Sequence, residues 1–306
     1  MIGIVGAGAM GGWLASQFQR SGHGVVLIDV AESLVHTINT DGLTVESKDG
    51  ATVTRVNAVS ALDGLEEADV VFFFVKAHHT RSAAELAKGI VGRETIVVSL
   101  QNGWGNADVL AQAFPAEQIV VGVTYHSATV LAPARVAHTG KGATFVGPYA
   151  NGAPLARAAV IGKLLESAGI ENTVTAEVKT EIWKKLILNA ATLPTAALTG
   201  LCAGSLGAHT EMASLVDAAA KEAVAVAQAQ GYGIDEQERL ERIHAVLRGA
   251  GKGKASMLQD AEARRKTEIE VVNGAVVRAA EIAGIDVPIN RAMVSLLHGL
   301  EEGWQS

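Results

Sequence analysis

The sequence has few of the features that mark secreted, membrane or disordered proteins. It has one cysteine in 306 residues, so no disulfide can form within the chain, and we expect the reducing conditions of the cytoplasm. No apolar run approaches the roughly 20 residues that span a bilayer, and we identify no signal peptide in the N-terminal segment. Hydrophobic residues make up 49% and charged residues 19% of the chain, which indicates a globular protein with a large core.

Basic residues are too few and too scattered to form a nucleic-acid-binding surface. The 25 lysines and arginines are outnumbered by 32 acidic residues, which gives a net charge of −7. The histidines form no pair with metal-ligand spacing, since His78 and His79 are adjacent and cannot easily point at one ion. We therefore expect a soluble protein that binds a small molecule, with no nucleic acid, membrane or metal partner.

Short apolar runs alternate with helical patterns in the first half of the chain. This alternation is typical of a parallel sheet covered by helices on both faces, so it predicts an α/β doubly wound Rossmann domain. The predicted parallel strands cover residues 2–5, 25–28, 70–75, 96–100 and 119–123. Residues 130–138 and 143–146 are expected to extend this sheet as antiparallel strands.

The pattern from about residue 175 onward is helical throughout. The predicted helices cover residues 177–191, 206–230, 236–247, 262–283 and 291–301. We therefore predict two domains, an NAD(P)-binding Rossmann domain over residues 1–175 and an all-helical substrate and catalytic domain over residues 176–306. The long apolar helices of the second domain favour a homodimer.

The first predicted strand leads directly into a glycine-rich turn. Gly6, Gly8 and Gly11 form the pattern G-x-G-x-x-G where a helix should begin, which is the fingerprint of dinucleotide binding. Gly6 permits the turn, Gly8 lets the backbone approach a pyrophosphate, and Gly11 lets the helix pack on the strand. The predicted cofactor-binding residues of this turn are Gly6, Ala7, Gly8, Ala9, Met10 and Gly11.

The second predicted strand ends at Asp29. An acidic residue at this place hydrogen-bonds the adenosine ribose hydroxyls and repels a 2′-phosphate. No arginine follows nearby, because the next residues are Val30, Ala31 and Glu32. The sequence therefore predicts NAD rather than NADP, and the alternative is that Asp29 merely caps the next helix.

Polar residues also follow three further predicted strands. Ligands of an open parallel sheet lie beyond the carboxyl ends of its strands, so Lys76 and Asn102 are candidates to line the nicotinamide half of the site. The alternatives are a solvated lysine and an Asn-Gly turn. His126 is a candidate acid, with a structural histidine at a strand end as the alternative.

The helix predicted over residues 177–191 carries a lysine beside an apolar strip. Lys185 and Asn189 lie one turn apart on one face, and a desolvated lysine has a lowered pKa. Such a lysine could protonate a carbonyl oxygen as hydride reaches the carbon, although spacing alone favours Lys184 equally. Glu268 and Ser256 could also belong to this site. The alternative for Glu268 is a solvated charge on a helix, and the alternative for Ser256 is a helix cap.

These residues lie in motifs that resemble the ketopantoate reductase (2-dehydropantoate 2-reductase) family over essentially the whole chain. The motifs are GAGAMG at 6–11, SLQNGWG at 99–105, EIWKKLILNAA at 181–191, SMLQD at 256–260 and RRKTEIEVVNG at 264–274. The resemblance implies a helical domain like the C-terminal domain of 6-phosphogluconate dehydrogenase. It also implies an enzyme of pantothenate biosynthesis that reduces a 2-oxo acid to a 2-hydroxy acid with NAD(P)H.

The resemblance also implies roles for individual residues. Lys185, rather than Lys184, is implied to be the catalytic proton donor. The implied substrate-binding residues are Asn102, Asn189 and Ser256. The cofactor contacts implied outside the glycine turn are Lys76, Asn102, Ala128 and Glu268.

Three positions depart from the pattern of this family. Leu193 and Ala203 replace substrate-side asparagines, and Val30 stands where an arginine reads the NADPH phosphate. Losing a polar partner changes substrate choice, so the alternative is an NAD-dependent D-2-hydroxyacid (D-mandelate-type) dehydrogenase of branched or apolar 2-oxo acids. A β-hydroxyacid dehydrogenase and a non-catalytic NAD-sensing module remain as further readings, and the SMLQD and TEIEVVNG segments argue against the former.

Overall fold

The computed structural model describes residues 1–304 and divides into two compact units. The first unit comprises Met1–Gln101 and Asn106–Val178. The second comprises the short segment Asn102–Gly105 together with the chain from Lys179 onward. Each unit has a hydrophobic core of its own.

The strands of the described chain lie in the first unit. In chain order they are β1 Ile2–Val5, β2 Val25–Ile28, β3 Leu43–Ser47, β4 Gly50–Thr54, β5 Asn57–Val59, β6 Val70–Phe73, β7 Ile96–Ser99, β8 Ile119–Thr124, β9 Ser127–Ala132, β10 Arg135–Gly140, β11 Thr144–Pro148 and β12 Asn172–Val174. Within residues 1–304 they form an eight-stranded sheet in the order β12-β11-β8-β7-β6-β1-β2-β5 and a four-stranded sheet in the order β4-β3-β10-β9.

The eight-stranded sheet confirms the predicted Rossmann architecture. Strands β1, β2, β6, β7 and β8 are buried along their whole length, as their uninterrupted apolar sequences require. Strand β1 pairs in parallel with β2 on one side and β6 on the other, so the chain order reverses there. The loops after β1 and β6 therefore meet at the topological switch point, where doubly wound sheets bind their ligands.

The four-stranded sheet corrects one sequence-based expectation. Residues 130–138 do not extend the main sheet, because a turn with Ala134 at φ 55° divides them into the hairpin β9–β10. Strand β10 pairs with β3, which the sequence did not reveal as a strand. Strands β3 and β4 are half-exposed and alternate apolar with polar residues, so they lack the continuous apolar runs that mark the buried strands. The expectation for residues 143–146 was right, since β11 pairs antiparallel to β8.

Helices cover the first unit and build the second. In the first unit they are α1 Ala9–Arg20, α2 Glu32–Asp41, η1 Ala77–His79, α3 Thr80–Ala87, α4 Asn106–Leu110, η2 Ala116–Gln118 and α5 Ala156–Ser167, where η denotes a 3₁₀ turn. In the second they are α6 Val178–Thr199, α7 Ala203–Ala208, α8 Thr210–Ala229, α9 Glu236–Ala250, α10 Ser256–Glu262, η3 Ile269–Val271, α11 Asn273–Ala283 and α12 Pro288–Glu302. None of the helices described in residues 1–304 is both long and apolar enough to cross a membrane.

Three helix predictions were wrong in their extent. The helix expected over residues 206–230 is divided at His209 into α7 and α8. The helix expected over residues 262–283 is interrupted, because Arg264 has φ 48° and a 3₁₀ turn at Ile269–Val271 precedes α11. The helix expected to end near residue 191 instead continues through Pro194 to Thr199. A proline ordinarily ends or kinks a helix, so its neighbours must compensate for the hydrogen bond that it removes.

Candidate active site

The glycine-rich turn has the backbone geometry that the sequence predicted. Gly6 has φ +101°, and a side chain there would lie 2.8 Å from the backbone nitrogen of Val75. A Cβ on Gly11 would lie 2.0 Å from the carbonyl oxygen of Gly6. Both positions therefore require glycine, and the turn places the start of α1 directly beyond the end of β1.

Gly8 differs from these two glycines because no protein atom crowds it. A Cβ built there meets nothing within 4 Å, and Gly8 is exposed at the N-cap of α1. No side chain caps this helix, and its first turn contains no acidic residue. The backbone N–H groups and the positive end of the helix dipole are thus open to an anion, a geometry that suits a dinucleotide pyrophosphate.

Asp29 holds the turn from the end of the neighbouring strand β2. Its Oδ2 accepts a hydrogen bond from the Ala7 N–H at 2.8 Å, and its Oδ1 accepts one from the Ala31 N–H at 3.0 Å. The N-cap residue of α2 is Ala31, so Asp29 is not the helix cap that was the alternative. Its carboxylate is half-buried, and Val30 beside it is exposed.

Two of the expected cofactor contacts, Lys76 and Ala128, lie in the first unit. Lys76 is half-buried in the loop after β6, and Ala128 lies in β9 against the core. Gln101 lies in the motif SLQNGWG at 99–105, but the sequence predicted no role for it. Its Nε2 donates to the Val75 carbonyl oxygen at 2.8 Å and to Thr80 Oγ1 at 2.9 Å. Gln101 therefore fastens the end of β7 to the loop that carries Lys76.

His126 lies in a buried aromatic stack. Its Nδ1 lies 2.9 Å from His138 Nε2, and the indole of Trp13 stacks on both imidazoles at centroid distances of 4.6 and 4.7 Å. Burial, followed by the positive charges of His138 and Lys141, lowers the pKa of His126 to about 4. A group of this pKa is unprotonated at neutral pH, which favours the structural interpretation over the acid.

Lys185 makes the central contact of the second unit. Its Nζ donates to Asn102 Oδ1 at 2.9 Å, which joins α6 to a segment more than 80 residues earlier in the chain. Burial lowers the pKa of Lys185 to about 8, and the negative charge of Glu268 opposes this shift. The structure thus brings together Lys185, Asn102 and Glu268, three residues that the sequence placed in separate motifs.

Backbone contacts hold Asn102 in this position. The Trp104 N–H donates to the Val271 carbonyl oxygen at 2.8 Å, and Gly103 has φ +86° with no room for a side chain beside Val271. Trp104 also packs against Trp183 and Tyr232, with ring centroids 5.6 and 6.1 Å away. Val271 ends the 3₁₀ turn that follows Glu268, so one tether positions both Asn102 and Glu268.

The adjacent lysines Lys184 and Lys185 of α6 have different surroundings. Lys184 Nζ pairs with Glu181 Oε1 at 2.8 Å along the helix. Asn189 lies one turn beyond Lys185 on α6, and its side chain is largely buried.

Ser256 is exposed at the first position of α10, and Ala255 is the N-cap residue. Ser256 therefore does not cap the helix, which was its alternative interpretation. Two of the three departures from the family's pattern, Leu193 and Ala203, pack against the core of the second unit.

Metal ligands do not cluster in the part of the chain that the structure describes. Within residues 1–304, no group of three or more histidine, cysteine, aspartate or glutamate side chains could hold a metal ion. Lys185 itself presents an ammonium group that donates to an amide oxygen and feels the negative charge of Glu268.

Two protein-family models match the chain. Ketopantoate reductase PanE/ApbA matches residues 2–151, and Ketopantoate reductase PanE/ApbA C terminal matches residues 177–301. The protein belongs to the ketopantoate reductase family. This membership confirms the resemblance inferred from the motifs, and with it the expectation of an NAD(P)-dependent oxidoreductase that acts on a CH–OH group.

Relatives within the ketopantoate reductase family match over nearly their whole length. The 2-dehydropantoate 2-reductase of Halobacterium salinarum is 33% identical over 298 residues, which is 96% of each chain. The crystal structure of a PanE/ApbA family ketopantoate reductase from Ralstonia eutropha is 30% identical, with a TM-score of 0.89 over 100% of both chains. A D-mandelate dehydrogenase structure with NADH and anilino(oxo)acetate has a TM-score of 0.94 over 100% of both chains, but at 23% identity it shows the shared fold alone.

Proposed function

We propose that this protein reduces a 2-oxo acid to the 2-hydroxy acid, with Lys185 as the proton donor. The observation that carries the proposal is the Lys185 ammonium, which donates to Asn102 Oδ1 at 2.9 Å and has a pKa lowered to about 8. Reduction of a ketone requires hydride at carbon and a proton at oxygen. A nicotinamide dinucleotide, when bound, supplies the hydride.

Lys185 is suited to the protonation step for two reasons. Its pKa of about 8 keeps it protonated at neutral pH, yet brings it close enough to neutrality to release the proton readily. Its positive charge also stabilises the alkoxide that develops on the carbonyl oxygen, and partial burial strengthens this effect. Asn102 Oδ1 fixes the direction of one N–H bond, while Glu268 favours the charged form of the amine.

The first unit supports binding of the dinucleotide, with NAD preferred. The uncapped N-terminus of α1 and the open space at Gly8 suit the pyrophosphate. The carboxylate of Asp29 retains lone pairs beyond its two backbone contacts and would accept from the ribose hydroxyls. No cation replaces the phosphate-reading arginine at Val30, so a 2′-phosphate would meet the charge of Asp29 unopposed.

A narrower substrate class is a second candidate. In the proposed site, Asn189 and Ser256 would bind polar groups of the 2-oxo acid, including its carboxylate. Leu193 and Ala203 replace asparagines of the family's pattern and pack with apolar neighbours. A substrate hydroxyl placed there would lose its partner, which favours a branched or apolar 2-oxo acid over ketopantoate.

A kinetic panel tests both the reaction and its substrate. The purified protein is assayed with NADH and with NADPH against ketopantoate, 2-oxoisovalerate and benzoylformate. We expect turnover with higher kcat/KM for NADH, and the apolar acids ahead of ketopantoate. Ketopantoate ahead by orders of magnitude would remove the second candidate, and a clear NADPH preference would refute the role of Asp29. Cofactor binding without turnover of any 2-oxo acid would instead support an NAD-sensing module.

A further inference from the structure

The helix that carries Lys185 contains a proline, and the proline leaves one carbonyl group without its helical partner. Pro194 lies inside α6 and has no N–H to donate. The group deprived of its hydrogen bond is the carbonyl of Ala190, four residues earlier, which directly follows Asn189. Ala190 is fully buried, so water cannot replace the missing donor.

Asn273 supplies the missing hydrogen bond. Its Nδ2 donates to the Ala190 carbonyl oxygen at 2.8 Å, from the first position of α11. The same nitrogen donates to Asn290 Oδ1 at 2.9 Å, and both asparagines are fully buried. A fully buried amide with two such acceptors has a fixed orientation, so Asn273 holds the carbonyl rather than following its motion.

The second asparagine is fixed in turn by a carboxylate. Asn290 Nδ2 donates to Glu222 Oε2 at 2.7 Å and to the Ala219 carbonyl oxygen at 3.1 Å. The carboxylate of Glu222 also accepts from the backbone N–H groups of Ile289 and Asn290 at 2.9 and 3.0 Å, in the first turn of α12. The relay Glu222–Asn290–Asn273 therefore ties the proline site of α6 to three other helices.

We propose that Asn273 is a positioning residue for the reaction, acting through the proline site of α6. Its amide replaces the hydrogen bond that Pro194 removes, and thereby sets the orientation of the turn that carries Lys185 and Asn189. The inference depends on the proposed function of Lys185, because a proton donor must point at its acceptor to be effective. Asn273 itself does not need to touch substrate or cofactor.

A double-mutant cycle between Asn273 and Pro194 tests this inference. Asn273→Ala removes the donor, and Pro194→Ala restores the helical N–H that could serve Ala190 instead. We expect N273A to lower kcat about tenfold, a loss typical of a misaligned reacting group, with little change in KM for NADH. In the N273A background, P194A should recover most of the lost kcat.

Val276→Ala is the matched control. Val276 is fully buried on the same helix, one turn from Asn273, and its apolar side chain has no donor for the Ala190 carbonyl. The V276A variant should have a lower thermal midpoint of unfolding, with kcat of the folded enzyme unchanged. Adding P194A to V276A should produce no specific recovery. If N273A behaves like V276A, or if P194A and N273A act additively on kcat, the positioning role is overturned.

The cycle remains decisive if N273A does not fold. Recovery of the folded protein by P194A then supports the inference, and a double variant that stays unfolded overturns it. The thermal midpoints of the wild type, the two single variants and the double variant measure the coupling between Asn273 and Pro194. This measurement needs no activity assay. A protein that reduces no 2-oxo acid would refute the proposed function but leave this coupling intact, so the two failures can be distinguished.

Discussion

Lys184 and Lys185 show at the scale of single residues how surroundings decide a role. They are neighbours on α6, yet Lys184 pairs with Glu181 at 2.8 Å while Lys185 donates to Asn102. Burial lowers the pKa of Lys185 to about 8. Spacing alone could not separate the two lysines, because the partner of Lys185 comes from a distant part of the chain.

Exchanging each lysine for alanine tests this difference. Lys185→Ala should lower kcat for 2-oxo acid reduction by about 10²-fold or more, because both acid catalysis and alkoxide stabilisation are lost. Lys184→Ala is the matched control and should keep kcat near the wild-type value. Steady-state kinetics with saturating NADH measures both, and equal effects of the two variants would remove Lys185 from the mechanism.

Gly103 is a second residue whose substitution gives a sharp expectation. With φ +86° and a Cβ that would lie 2.4 Å from the Val271 carbonyl oxygen, Gly103→Ala should destabilise the protein by roughly 1–3 kcal/mol. It should also lower kcat, because Asn102 would move away from Lys185. Gly233→Ala, at an exposed position with nothing within 4 Å, is the control. The thermal midpoint and kcat of the two variants should differ clearly. Similar values would show that the close approach of Gly103 to Val271 is unimportant for the position of Asn102.

At the scale of elements, the hairpin β9–β10 and helix α1 share a titratable contact. His126 precedes the hairpin and bonds to His138 within it, and Trp13 of α1 stacks on both rings. Because burial and the charges of His138 and Lys141 lower the pKa of His126 from 6.5 to about 4, the unfolded chain binds more protons between these pH values. Folding stability should therefore be complete above pH 6.5 and decline as the pH falls toward 4.

His126→Phe removes this titration and keeps an aromatic ring beside Trp13. We expect the wild-type free energy of unfolding to fall by up to about 1.4 kcal/mol per pH unit below pH 6.5 from this group, and the variant to show a shallower slope. Denaturant unfolding at a series of pH values measures both slopes. His36→Gln, at an exposed position, serves as the control, and identical slopes in H126F and wild type would contradict the account.

The elements also show which parts of the fold the sequence could predict. Strands such as Val70–Phe73 are continuous buried apolar runs and were found within a few residues of their ends. Strands Leu43–Ser47 and Gly50–Thr54 are half-exposed and pair with distant partners, so local pattern gave little indication of them. The continuation of α6 through Pro194 is accompanied by a hydrogen bond from the Asn273 amide to the Ala190 carbonyl, a contact that helix signals cannot reveal.

At the scale of the whole molecule, each unit has its own core and its own part of the chemistry. The glycine turn and Asp29 could be recognised from sequence because they are close in the chain and follow strand ends. Lys185 and Asn102 are 83 residues apart in the chain, so only the family resemblance linked them at the sequence level. The relay from Glu222 to Asn273 could not be predicted, because the motif at 264–274 includes Asn273 but nothing in the sequence links it to Asn290 or Glu222.

The most direct measurement of the central claim is the pH dependence of kcat for reduction, in the wild type and in Glu268→Gln. If Lys185 donates the proton, the wild-type kcat should fall as the pH rises through a pKa of about 8. The negative charge of Glu268 raises the pKa of Lys185. Glu268→Gln removes this charge, so the fall in kcat should move to lower pH. A wild-type kcat that stays constant from pH 6 to 10, or a fall at the same pH in both proteins, would contradict the account.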